Sequence, residues 1–224
     1  MTFSLVVREE ASGAFGSIIS SSSPAVAARC VHLRDGVGGV HSQNVTDPRL
    51  GPKLLDLLEQ GRPAADALAR LLVTETSAEW RQLLVVDAAG RTAIHSGGRA
   101  LGIVGEHAAP NAVAAGNMLA TPEVPQRLVE GFLTAQGSLE RRLLAAYEAA
   151  MAEGGEAGPV HSAGLSVVNG SGWRVTDLRV DWSDHPFEDL ADLLDVWEPQ
   201  RDDYVTRGLD PDAAPGYGVA GDER

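Results

Sequence analysis

Met1-Thr2-Phe3-Ser4-Leu5-Val6-Val7-Arg8 opens the chain, and the reading of this stretch decides the fold. Phe3, Leu5 and Val7 alternate with Thr2, Ser4 and Val6, the two-residue period of a strand with two unlike faces. Chain ends are usually frayed and polar. This one is apolar and β-branched almost at once, which predicts a strand that begins inside its sheet. Thr2 is small and follows an initiator Met, a pattern that suits removal of Met1 by methionine aminopeptidase. Removal leaves Thr2 with a free α-amine beside its own hydroxyl, a pair in which the amine serves as base for the nucleophile. On these eight residues alone, an ordinary first strand with a solvated Thr2 is the better reading.

The 224 residues are 44% hydrophobic and 22% charged, the composition of a globular chain long enough to bury a substantial core. Its apolar runs fall far short of a membrane span, and no basic segment leads into a secretory apolar core. A cytoplasmic protein with no membrane contact is expected. The single cysteine, Cys30, excludes an internal disulfide framework and a cysteine zinc site and reads as buried filler. A net charge of −13 argues against nucleic acid, whose phosphates need a basic face. The acidic residues gather late, from Asp177 onward, and read as a solvated face.

Working outward, Glu9 to Gly13 reads as a turn and Gly16 to Ser23 as a second strand, stopped by Pro24. Its serine run, Ser20 to Ser23, fits the polar end of a buried strand. Ala27 to Leu33 and Val37 to Gln43 follow as a strand pair. The glycines Gly36, Gly38 and Gly39 mark close approach by a ligand or a neighbouring element, and they lack the lysine and the strand–helix context of a phosphate loop. Asp47-Pro48 starts a helix that Gly61 ends, and Pro63 starts another. Strands are expected at Gln82–Val86, Thr92–His95 and Ala112–Ala115, the last running into Gly116-Asn117. Helices follow from Thr121 and over Ser138–Glu153. Ala163–Val168 and Trp173–Val180 form a hairpin about Asn169-Gly170, and a last helix starts at His185-Pro186. Hairpin-joined strands with helices in blocks predict an α+β protein of two antiparallel sheets with helices outside. One domain is expected over residues 1–198, with an acidic tail containing Pro and Gly over 199–224 as an extended arm or a disordered segment.

No Gly-x-Ser-x-Gly elbow and no His-Glu-x-x-His pattern is present. Polar residues at strand ends remain: Thr2, the serines to Ser23, Gln43-Asn44, Gly116-Asn117 and His161-Ser162. Such amides and hydroxyls can bind a polar substrate or hold an oxyanion. Each is explained singly by strand-end hydrogen bonding, and their coincidence with a strand-initial Thr favours a site. Asp181, Asp184 and His185 give a weaker, metal-assisted alternative whose spacing matches no defined pattern.

The opening Met-Thr-Phe-Ser resembles one bacterial family, as do Ser22-Ser23-Pro24-Ala25-Val26, Gly36-Val37-Gly38-Gly39-Val40 and Gln43 to Pro52. Arg81-Gln82-Leu83, Ala115-Gly116-Asn117, His161 to Leu165 and Asp177 to Asp181 extend the likeness to about Trp197. The family is the domain of unknown function 1028, in the Ntn-hydrolase-like superfamily. This resemblance implies a four-layer αββα sandwich and hydrolysis of an amide bond by an N-terminal nucleophile, with Thr2 the matching residue. The expectation is therefore an amidohydrolase acting on a small-molecule amide without a cofactor or metal, working as a homo-oligomer. Thr2 and Asn117 would be catalytic, and Ser22, Ser23, Gln43, Asn44 and His161 would bind substrate. His161 stands where many members carry Gln, a departure that bears on that contact. A non-catalytic ligand-binding or assembly module on the same fold is the alternative.

Overall fold

The opening stretch forms β1 (Thr2–Arg8), which runs inside a six-stranded antiparallel sheet between β2 (Phe15–Ser21) and β8 (Ala112–Asn117). The sheet is completed by β9 (Ser162–Val168) and β10 (Arg174–Val180) beyond β2, and by β7 (Gly105–Ala109) beyond β8. A second sheet has the order β3 (Val31–Arg34), β4 (Gly38–Asn44), β5 (Arg81–Asp87), β6 (Thr92–Ser96). This computed structural model describes residues 1–222. Residues 223 and 224 of the expected tail lie outside it.

The period of β1 explains the layering. Phe3, Leu5 and Val7 face α4 (Val124–Thr134) and α5 (Leu139–Ala152), packing with Leu128, Phe132 and Leu143. α6 (Pro186–Trp197) extends that helical layer through Leu190. Val6 turns the other way and packs with Leu84 and Val86 of β5 and Val113 of β8 between the sheets. On the far side, α2 (Leu50–Glu59) and α3 (Ala64–Thr74) cover the smaller sheet, with Leu50, Leu54 and Leu58 against Val40, Leu83 and Val85. Three apolar interfaces thus separate four layers, and the protein is an αββα sandwich. The sheets meet closely at Gly39, where a Cβ would lie 2.5 Å from Val6 Cγ2. Here the approach that the strand glycines signal is made by the other sheet.

Three segments depart from the sequence reading. Residues 27–30 of the expected strand belong instead to the short helix α1 (Val26–Cys30), entered from Ala25 in a left-handed conformation at φ 53°. Pro24 and the alanine pair favour that turn over extended backbone. Residues 105–109 form an edge strand where no regular element was expected. Residues 201–209 form α7 (Arg201–Leu209) in place of an extended arm. Asp202 and Asp203 suit its first turn through the helix dipole. Arg201 Nη1 is 2.9 Å from the buried carboxylate of Glu140 in α5, and Tyr204 stacks on Trp197 at 5.2 Å. Among the described residues no helix is long and apolar enough to cross a membrane.

Candidate active site

Four neighbouring strands end in a row of polar residues. The registers pair Thr2 with Asn117 of β8, bring Thr2 opposite Ser21 of β2, and pair Ser21 with Ser162 of β9. By the two-residue period, all four share the face that looks toward the second sheet. Thr2 is only 6% exposed. Its Oγ1 donates to the carbonyl oxygen of Met1, and Ser21 Oγ donates to that same oxygen. The two hydroxyl oxygens lie 3.3 Å apart. Since the Ser21 proton goes to Met1, Ser23 Oγ donates to Ser21 Oγ at 3.0 Å, and the Ser23 N–H donates to it at 3.1 Å. One amide carbonyl is therefore gripped by two hydroxyls at the mouth of the sandwich.

Glu156 closes the site from the segment after α5. It bridges to Leu119 just beyond β8, and its Oε2 accepts the Ser22 N–H at 3.1 Å. The residue is 5% exposed and Oε1 has no hydrogen-bond partner. Burial pushes its pKa up to about 7, against the opposing pull of the Met1 α-ammonium and the bonds from Ser22. The methyl of Met1 rests on Gly158, where a Cβ would come within 2.9 Å of it.

Behind the mouth a buried polar seam crosses between the sheets. Ser4 Oγ donates to Gln43 Oε1 at 2.6 Å, so it accepts from His41 Nδ1–H at 2.8 Å. His41 Nε2 is then the acceptor for Ser17 Oγ at 2.7 Å, which fixes the tautomer. Gln43 Nε2 donates to Gln82 Oε1 at 2.8 Å and to the Ala115 carbonyl at 3.1 Å. Gln82 Nε2 donates to Ser96 Oγ at 2.8 Å and to the Gly116 carbonyl at 3.0 Å. Asn117 Nδ2 reaches the seam by donating to Gln82 Oε1 at 3.0 Å, which leaves a second amide proton uncommitted. Burial, reinforced by the nearby His32 and Arg174, lowers the His41 pKa to about 3, so the imidazole is neutral and acts as a structural link.

The structure brings Thr2, Asn117, Ser22, Ser23 and His161 to one place and separates Gln43 and Asn44 from it. Gln43 is fully buried with its amide committed on both ends. It supports Asn117 through Gln82 and offers substrate no free group. Asn44, in a left-handed turn at φ 67°, donates to the Trp80 carbonyl at 2.6 Å and accepts the Leu101 N–H at 3.2 Å. Its work there is to pin loops. His161 adjoins Ser21 through its backbone N–H, 2.9 Å from the Ser21 carbonyl, and its ring stacks on Trp182 with centroids 4.3 Å apart. Among the described residues no three His, Cys, Asp or Glu side chains come together as a metal site, so Asp181, Asp184 and His185 form no such cluster. Sequence reasoning missed Glu156, which sits among glycines after a helix end and carries no motif. Ser21 was legible within its serine run, and only the strand register singles it out from Ser20, which turns the other way to Tyr147 at 2.8 Å.

Comparison with known proteins agrees with this architecture. The crystal structure of protein SPO2555 from Silicibacter pomeroyi, itself assigned to DUF1028, is 26% identical and superposes with a TM-score of 0.84. The match covers 92% of this chain and 94% of that one. Eukaryotic HslV from Trypanosoma brucei matches at 14% identity and a TM-score of 0.45, covering 75% of this chain and 99% of its own. Anbu from Yersinia bercovieri matches at 11% and 0.41, covering 88% and 97%. No curated protein matches the chain. Residues 2–190 match the family described as "Family of unknown function (DUF1028)", and the chain belongs to that family.

Proposed function

We propose that the protein is an N-terminal-nucleophile amidohydrolase that cleaves a C–N bond in a small polar molecule, with Thr2 as nucleophile once Met1 is removed. The observation that carries this reading is the grip of the Thr2 and Ser21 hydroxyls on the Met1 carbonyl. The peptide carbonyl of the Met1–Thr2 bond, lying against the Thr2 and Ser21 hydroxyls in a buried polar row, supports the reading. Removal of Met1 frees both hydroxyls and bares the Thr2 α-amine. Thr2 Oγ1 then attacks the substrate carbonyl carbon while the α-amine takes its proton, directly or through a water. The second Nδ2 proton of Asn117 and the Ser21 hydroxyl are donors for the oxyanion, a contribution of about 3 kcal/mol for one well-placed group. The C–N bond breaks as the α-ammonium returns its proton to the leaving amine. Water then hydrolyses the Thr2 ester and releases the acid.

In this reading Ser22, Ser23 and His161 border the substrate and the reaction needs no cofactor. The protein works in the cytoplasm as an assembly of identical chains, which light scattering tests. Intact mass of purified protein comes first, with loss of Met1 expected. A screen of small amides should then find turnover that Thr2→Ala reduces by at least about a thousandfold without changing the circular dichroism spectrum. Retention of Met1 in an active preparation, or wild-type turnover by Thr2→Ala, overturns the reading. Ligand-dependent thermal stabilisation without product would instead mark a binding module.

A further inference from the structure

The room that Met1 occupies has a chemistry of its own, and the inference drawn from it rests on the amidohydrolase reading. Three features surround that residue. Its carbonyl oxygen meets the hydroxyls of Thr2 and Ser21. Its terminal methyl lies over Gly158, the residue whose missing side chain leaves that space open. Glu156, close enough to feel the charge of the Met1 ammonium, is bonded through Oε2 to the N–H of Ser22, the residue next along from Ser21. Glu156 Oε1 is buried and unpartnered. A buried carboxylate oxygen without a donor is costly in a finished fold, and it becomes reasonable where a ligand brings the donor.

We propose that the space vacated by Met1 is the acyl subsite, and that it takes the acyl part of an α-amino amide, with the ligand's ammonium group on Glu156, its carbonyl on Thr2 and Ser21, and an unbranched apolar side chain over Gly158. The substrate class is thus an amino-acid amide with a free amino group. The buried Oε1 of Glu156 supplies the reason: it has no donor of its own, it lies on the side of the site where Met1 carries its ammonium group, and the charge of that ammonium favours the ionised form of Glu156. Blocking the ligand's amino group removes that charge and adds bulk against a carboxylate, so N-acylated amides are excluded.

The test is calorimetric binding to Met1-free protein carrying Thr2→Ala, which does not consume the ligand, with thermal shift of the Met1-free wild type as a second measurement. The probes are L-methioninamide, N-acetyl-L-methioninamide and the desamino analogue 4-(methylthio)butanamide. L-Methioninamide should bind at least about tenfold more tightly than either of the others, the usual worth of a hydrogen bond to a charged group. Glu156→Gln, which keeps the side-chain shape, should erase that preference while leaving the weak binding of the desamino compound intact. Gly158→Val should weaken methioninamide and spare glycinamide.

Equal affinity for the three probes, no binding of any of them, or a preference that survives Glu156→Gln overturns the inference. So does an equal loss of all three probes in Glu156→Gln, which would assign the carboxylate to the α-amine of Thr2. A preference with no hydrolysis of any amide by wild type would sink the amidohydrolase reading and leave the subsite standing. Retained Met1 would remove both.

Discussion

At the scale of the residue, the buried titratable groups set how this protein answers to pH. His41 is neutral in the fold, with its pKa lowered to about 3, and His32 is lowered to about 4, mainly by burial. In the unfolded chain both take up protons below their ordinary value of 6.5, so there the unfolded state binds more protons and stability falls as pH falls. The window runs from about 6.5 down to about 4, and His41 alone contributes a slope approaching 1.4 kcal/mol per pH unit within it. Glu156 works in the opposite sense. Its pKa is raised from 4.5 to about 7, so it stabilises the fold below 4.5 and loses that contribution as pH rises toward 7. Two histidines against one carboxyl group give a melting temperature lower at pH 4.5 than at pH 7 in thermal unfolding. His41→Asn should flatten that dependence while lowering stability at neutral pH. Asn117→Ala should cut kcat by about a hundredfold if its amide serves the oxyanion, measured on the substrate found by the amide screen, with KM nearly unchanged.

At the scale of the element, periodicity made β1 legible and register made the site. The alternation of Phe3, Leu5 and Val7 with Thr2, Ser4 and Val6 gives the strand and its two faces, and the structure assigns one face to helices and the other to the second sheet. No pattern within one segment can say that Asn117, Thr2, Ser21 and Ser162 align, because that depends on pairings between strands far apart in the chain. For the same reason Gln43 reads as a strand-end polar group in sequence and is a buried bracket in the fold. The helix α7 was hidden by its composition, since a short, mostly polar stretch with only Tyr204 and Val205 turned inward offers no sustained periodicity. Its order comes from outside, from Glu140 and Trp197. Arg201→Ala leaves the buried Glu140 carboxylate without its cation and should cost about 3 kcal/mol in urea unfolding. The exposed pair of Arg201 with Asp202 should contribute under about 1 kcal/mol by the same measurement on Asp202→Ala.

At the scale of the whole molecule, the layer order was legible because each helix and strand carries one apolar face and four layers satisfy them all. The distance between the sheets was not, and Gly39 decides it. Gly39→Val pushes a side chain into Val6 and should destabilise the protein by about 2 kcal/mol or more, seen as a lower midpoint in denaturant. The seam from Ser17 through His41, Ser4, Gln43 and Gln82 to Asn117 has a mechanical meaning as well. Two sheets held by apolar contact alone can slide past each other with little directional resistance. Directional bonds behave as dowels. A slip of one residue would carry each donor about 3.3 Å from its acceptor and break the whole line at once. The spacing of Asn117, Thr2 and Ser21 is set by three adjacent strands of one sheet, the second sheet pins Asn117 through Gln82, and the loops around them can change without moving the place where chemistry is proposed to occur.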